Sequence, residues 1–253
     1  MKNNIYRELL LNREAGRKTI AVLIDPEKCM NRNFAAIVAT MKVSTPDMVF
    51  IGGSHAVKSL DTMIDIIREE VDSHIVLFPG DASHFTPKAD AMLFLSLISG
   101  RNPEYLIGHH IKSSQEIHAS GIEVIPTSYI LIEGGKTSST EYISNTRAIP
   151  RDKKEIALST ALAGELLGMR LTYLEAGSGA EKPVPSEMIT YLRSKLYSPL
   201  IVGGGITDLQ KLETAFNAGA DLVVVGNLFE RDLSLMPEFT GWVKDFNASI
   251  KIR

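Results

Sequence analysis

The chain has 253 residues, and 27 Lys and Arg against 30 Asp and Glu give it a formal charge of −3 and a pI of about 6.1. That balance offers no field to hold nucleic acid non-specifically. With 44% hydrophobic and 23% charged residues it reads as globular, and its single cysteine, Cys29, excludes a disulfide framework or a Cys-based zinc site and suits a reducing cytoplasm.

Charges at Lys2, Arg7, Glu8, Arg13, Glu14, Arg17 and Lys18 break up the N-terminus, so no signal-peptide apolar region fits there. No stretch approaches the ~20 apolar residues of a membrane span. The expectation is a cytoplasmic protein without a transmembrane segment.

Short apolar runs recur along the chain. They are Thr19–Asp25, Asp47–Gly52, His74–Pro79, Asp90–Ser96, Ile122–Ser128, Leu171–Ala176, Leu200–Gly203 and Asp221–Gly226. Their near-continuous apolar character is that of strands buried on both faces. Helical patterns follow most of them, at Asn33–Met41, Lys58–Glu70, Ser114–Ala119, Lys153–Leu167, Ser186–Leu196 and Leu209–Ala218. Eight strands alternating with helices predict an α/β fold, a closed parallel (β/α)8 TIM barrel, in one domain spanning residues 1–253. One connection departs from the pattern. Gly80–Ala89 is long enough for an extended return but too short for a crossover helix, which would need about thirteen residues at ~1.5 Å each. The barrel is therefore expected to be modified, its third outer helix replaced by an extended segment.

In a parallel barrel, function gathers at the C-terminal ends of the strands. Gly203-Gly204-Gly205-Ile206 after strand seven and Gly226-Asn227 after strand eight are Gly-rich turns that open helices, the usual phosphate site of this fold. Thr207 or Asp208 is placed to cap the helix after Gly205. Gly177-Ser178-Gly179 adds donors after strand six. Two residues earlier, Glu175 is a candidate acid–base carboxylate, or else the partner of a basic residue on a neighbouring loop. Tyr173 shares its inward parity and reads either as a site residue or as core. Asp25 and Ser54 end the first two strands; a carboxylate and a hydroxyl there suit Mg²⁺, while an Asp before Pro also serves turns. His109-His110 reads as a surface pair, His55 and His84 as loop residues near the mouth, and Phe239 and Trp242 as packing.

IDPEK at Ile24–Lys28, IGGS at Ile51–Ser54, YLEAGSGA at Tyr173–Ala180, VGGGI at Val202–Ile206 and VVGN at Val224–Asn227 together resemble the geranylgeranylglyceryl phosphate synthases, from about Thr19 to Asn227. The resemblance implies a Mg²⁺-dependent prenyltransferase. The 3-hydroxyl of sn-glycerol 1-phosphate would attack the first carbon of geranylgeranyl diphosphate, forming an ether and releasing diphosphate. By the same resemblance, glycerol 1-phosphate would lie on Tyr173, Leu174, Glu175, Ala176, Gly177, Ser178, Gly179, Gly204, Gly205, Gly226 and Asn227. Asp25 and Ser54 would hold Mg²⁺, and Glu175 and Tyr173 would be catalytic. The gap left by the third helix would berth the prenyl tail, with Phe78, Phe85, Leu93, Phe94, Leu97 and Ile98 along it. A homo-oligomer and transient membrane contact for the product complete the expectation.

Many relatives read EPGG after strand five where this chain has Glu133-Gly134-Gly135-Lys136, which affects the diphosphate contacts rather than the reaction class. Bacterial heptaprenylglyceryl phosphate synthases share several motifs but carry YLEYSG in place of YLEAGSG, which favours the geranylgeranyl donor. The competing readings are a heptaprenyl donor, another phosphate-using barrel enzyme, and a non-catalytic phosphate-binding barrel.

Overall fold

The apolar runs form strands because their residues can be buried on both faces, and every residue of the six-residue TIAVLI strand but one is buried. In the computed structural model, which describes residues 4–30, 34–52, 60–81 and 84–250, the chain runs α1 (Ile5–Glu14), β1 (Thr19–Ile24), α2 (Pro26–Met30), α3 (Phe34–Ser44), β2 (Met48–Ile51), α4 (Leu60–Glu70), β3 (His74–Leu77) and β4 (Ala91–Leu97). A π-helical turn (Glu104–Gly108) leads into α5 (His109–Ser120) and β5 (Glu123–Leu131). There follow α6 (Ser139–Ser144), α7 (Lys154–Leu166), β6 (Leu171–Glu175), α8 (Ser186–Arg193), β7 (Leu200–Gly203), α9 (Leu209–Asn217), β8 (Leu222–Val225), α10 (Asn227–Arg231), a 3-10 turn (Leu233–Leu235) and α11 (Met236–Ser249). The strands follow one another around a closed barrel in the order β1 to β8. No helix lies between β3 and β4 among the described residues, as the shortness of that connection requires.

A recurring device sets strand register. Asp47, immediately before β2, accepts the Ile20 N–H of β1 at 2.8 Å. Asp90, immediately before β4, accepts that of Ile75 in β3 at 2.8 Å. Asp221, immediately before β8, accepts that of Leu200 in β7 at 2.8 Å. Each carboxylate satisfies a backbone donor at a strand start, where the ladder alone leaves it unpaired. Asp221 also pairs with Arg193 of α8 at 2.9 Å, with both side chains largely buried.

The chain divides into two compact units, one built from Met1–Leu93, Lys112–Val124 and Val225–Arg253 and the other from Phe94–Ile111 and Ile125–Val224. In the first, Glu123 accepts the Ile5 and Tyr6 N–H groups at 2.7 and 3.0 Å while Asn4 accepts that of Arg7, so α1 begins on a carboxylate that complements its dipole. α11 is anchored by Asn247, whose amide accepts from the Lys18 N–H and donates to the Lys18 carbonyl, both at 2.8 Å. Phe239 packs edge-on to Phe229, and Trp242 stacks on Phe246. In the second unit, Ser138 and Glu141 form a reciprocal capping box that starts α6.

Two expectations need correction. His109-His110 is not a surface pair. His110 is 8% exposed, with Nε2 3.1 Å from the Ser96 hydroxyl and its ring edge-on to Phe94 of β4, so it packs inward where a π-helical turn leads into α5. Of the six residues assigned to the prenyl gap, Leu93 and Leu97 are buried in the barrel wall, so they offer a ligand no surface. Ile98 instead lines a groove of about 600 Å³ in the second unit, with Leu106 and with Ile156, Ala163, Gly164 and Leu167 of α7 and its end.

Candidate active site

In the second unit the site is built on the ends of β6 and β7. Residue parity along β6 alternates Tyr173 and Glu175 on one face with Leu174 on the other, so Leu174 can face a ligand only through its backbone. Tyr129, Tyr173 and Ile201 are neighbours at one level of the ladder, and Leu131, Glu175 and Gly203 at the level above. Glu175 thus stands between an apolar side chain and a residue with none.

One donor holds the Glu175 carboxylate and a second group stands beside it. The Gly177 N–H reaches Oε1 at 2.7 Å, and the Tyr173 hydroxyl lies on the Oε2 side, both facing Gly203. Both favour the ionised form, but burial outweighs them and raises the group to about 7. Tyr173 is fully buried, and burial beside Glu175 pushes its hydroxyl well above the ordinary tyrosine range. Tyr129 meets the Tyr173 ring edge-on at 5.3 Å, and a hydrogen bond joins its hydroxyl to that of Thr140 in α6. The carboxylate is held at the edge of ionisation near neutral pH.

The glycine loops around it are close-packed. Gly177 (φ +103°) and Gly179 (φ +68°) take left-handed conformations on either side of exposed Ser178, while Ala176 is buried and its N–H donates to the Gly203 carbonyl at 3.0 Å. Because the Gly177 N–H already serves Glu175, it is engaged in holding the base rather than free for a phosphate. Gly204 (φ +81°) approaches Glu175 and Gly177 so closely that a Cβ would lie 2.6 Å from Oε1. Gly205 (φ +71°) leaves room for the Lys182–Pro183 backbone, and Asp208 is the residue that caps α9, accepting the Lys211 N–H at 2.9 Å. The Glu133–Lys136 segment folds onto the same loop: the Gly134 carbonyl accepts from the N–H groups of Glu181 and Lys182, both at 3.0 Å.

In the first unit, Asp25 follows β1 directly. Its Oδ1 accepts the Glu27 N–H at 3.1 Å and its Oδ2 lies 3.5 Å from Lys28 Nζ. Lys28 also pairs with Glu230 of α10 at 3.4 Å. Between these two carboxylates Cys29 is buried, and burial followed by the charges of Glu230 and Asp25 lifts its thiol to about 11, far from a reactive thiolate. Gly226 and Asn227, both half-buried, are the N-cap and first residue of α10, and a Cβ at Gly226 would lie 3.3 Å from the Leu23 Cβ and carbonyl oxygen. His84 is buried and its Nδ1 accepts the Gly80 N–H at 3.3 Å, a role in its own loop. Ser54 and His55 lie outside the described residues.

Asp25 offers hard oxygen, is partly open to solvent, and among the described residues no cluster of three His, Cys, Asp or Glu groups is assembled for a metal. One carboxylate with water and substrate oxygens matches how Mg²⁺ is usually held, so the donor chemistry fits that ion.

Tyr129 beside Tyr173, Lys28 beside Asp25 and Glu230 beside Lys28 are contacts that sequence reading did not single out, while Gly203 was read only as part of a phosphate turn. Lys28 was legible inside IDPEK. Glu230 had no signal, since only the fold brings it to Lys28.

Residues 13–240 match the model of the PcrB family. A geranylgeranylglyceryl phosphate synthase of Chitinophaga pinensis is 45% identical, covering 94% of this chain and 95% of that protein. Another, of Flavobacterium johnsoniae, is 44% identical over 90% and 94%. The crystal structure of (S)-3-O-geranylgeranylglyceryl phosphate synthase from Thermoplasma acidophilum, in complex with its substrate sn-glycerol-1-phosphate, superposes with a TM-score of 0.86 at 31% identity, covering 96% of this chain and 99% of that one. With a family match across most of its length and relatives of this similarity, the chain belongs to the PcrB family of prenyltransferases, the family of the geranylgeranylglyceryl phosphate synthases.

Proposed function

We propose that the chain joins sn-glycerol 1-phosphate to geranylgeranyl diphosphate in a Mg²⁺-dependent transfer. The observation that carries the reading is Glu175, a buried carboxylate held by Tyr173 and Gly177 at about 7, beside the glycine loops of β6 and β7. The T. acidophilum relative, with sn-glycerol-1-phosphate bound, supports the acceptor.

In this mechanism Glu175 accepts the proton of the glycerol 3-hydroxyl as that oxygen bonds to C1 of the prenyl chain. The C1–oxygen bond to diphosphate breaks, and diphosphate leaves with the bonding pair. Tyr173 and the Gly177 N–H fix the carboxylate's orientation, and a general base so placed contributes roughly 10²–10⁴ in rate. Ser178, Gly179, Gly204 and Gly205 would hold the glycerol phosphate through backbone and side-chain donors, and Gly226 and Asn227 are the further residues to which the family resemblance points. Asp25 and Ser54 would hold Mg²⁺, which when bound neutralises charge on the diphosphate leaving group. Buried surroundings keep water from competing for the allylic carbon.

The test is incubation of radiolabelled sn-glycerol 1-phosphate with MgCl₂ and prenyl diphosphates of several lengths. Organic-extractable product is expected with the geranylgeranyl donor and none after EDTA treatment. Product only with the heptaprenyl donor assigns the longer chain, and no product with any donor removes the reading.

A further inference from the structure

Gly203 ends β7 beside Glu175, and nothing in its backbone calls for glycine. Its neighbours Gly204 and Gly205 have left-handed φ of +81° and +71°, whereas Gly203 is an ordinary strand residue outside the positive-φ set. Its carbonyl is engaged by the Ala176 N–H at 3.0 Å as part of the ladder. We infer that Gly203 is a positioning residue whose missing side chain is the space in which the Tyr173 hydroxyl and the Glu175 carboxylate meet. It serves the reaction through that pair and not through phosphate. The inference rests on the proposed prenyl transfer and deepens it.

The argument is steric. A Cβ at Gly203 would stand 2.3 Å from the Tyr173 hydroxyl oxygen, 2.8 Å from its Cε2 and 2.9 Å from Glu175 Oε2. Neither partner has room to retreat. Tyr173 is fully buried with its ring edge-on to Tyr129 at 5.3 Å, and the other Glu175 oxygen is tied to the Gly177 N–H at 2.7 Å. Gly204 bounds the same carboxylate on its Oε1 side, where a Cβ would lie at 2.6 Å. A strand glycine with normal φ marks a close approach rather than a turn, and here what approaches is the carboxylate together with the tyrosine hydroxyl. One methyl group would force the pair apart, and a displacement of that size from a productive geometry is costly.

Two measurements test it. Gly203→Ala, assayed with sn-glycerol 1-phosphate and geranylgeranyl diphosphate, is expected to lose at least about tenfold in kcat while KM for glycerol 1-phosphate stays within about twofold. An unchanged kcat, or a loss confined to that KM, overturns the inference. The second is thermal unfolding of the same substitution in the wild-type chain and in a Tyr173→Phe/Glu175→Ala background. The alanine should lower Tm less in that background, because two of the three atoms it meets, the Tyr173 hydroxyl oxygen and Glu175 Oε2, are gone. An equal loss in both overturns the inference. If Gly203→Ala does not fold alone, recovery of folding in the double-substituted background supports it, and failure in both overturns it. A wild-type chain that makes no ether product defeats the functional reading, while the unfolding comparison still decides the role of Gly203.

Discussion

Glu175 carries two opposing demands. Burial resists its ionisation, while the Tyr173 hydroxyl and the Gly177 N–H favour it, and the balance leaves the group at about 7. A base must be ionised to act, so the rate should rise with pH along an acid limb centred near that value. A kcat/KM profile that stays flat from pH 5.5 to 8.5 would contradict this. Glu175→Gln keeps the shape and removes the base, and kcat should fall by roughly 10²–10⁴. The shared face of Glu175 and Tyr173 was legible because strand side chains alternate with a period of two. The role of Gly203 was not. Within a Gly-Gly-Gly run after a barrel strand it reads as part of a phosphate loop, and only the packed Tyr173 shows that its own need is space.

At the scale of elements, the strands and most helices follow from the apolar runs, but side-chain clamps decide how they meet. Asp221 joins β7, β8 and α8 by accepting from both Leu200 and Arg193. Asp221→Ala should therefore leave a largely buried guanidinium without its carboxylate and cost about 3–5 kcal/mol, read as a lower urea midpoint with unchanged m-value. Arg193→Met with Asp221→Leu should cost less than the single substitution if the loss comes from the stranded charge. Such long-range pairs were invisible in sequence, since 28 residues separate Arg193 from Asp221. The start of α6 is different. Its Ser138…Glu141 capping box is a local signal, yet a reading guided by apolar runs passed over that short helix.

For the whole molecule, the raised Glu175 links protons to folding. The folded chain holds this proton up to about pH 7, whereas an unfolded glutamate releases it near its ordinary value of 4.5. Between those values the folded state binds more protons, so this group's contribution to stability declines as pH rises and levels off above about 7. A shift of that size corresponds to roughly 3 kcal/mol. Glu175→Gln, which cannot ionise, should therefore gain stability relative to wild type across this window and be the more stable protein at pH 8. Denaturant melts of both proteins at pH 4.5, 6 and 8 check the sign; a constant difference would refute the linkage.

The aspartates that precede β2, β4 and β8 have a consequence for how such a barrel comes together. Each reaches back to the preceding strand across only 27, 15 or 21 residues of chain. Closing loops of that length costs little more entropy than closing shorter ones. Strand pairs can thus settle their own alignment early, from neighbouring stretches of chain, ahead of the long-range step that joins the first strand to the last. Ring closure then has only prealigned pairs to bring together.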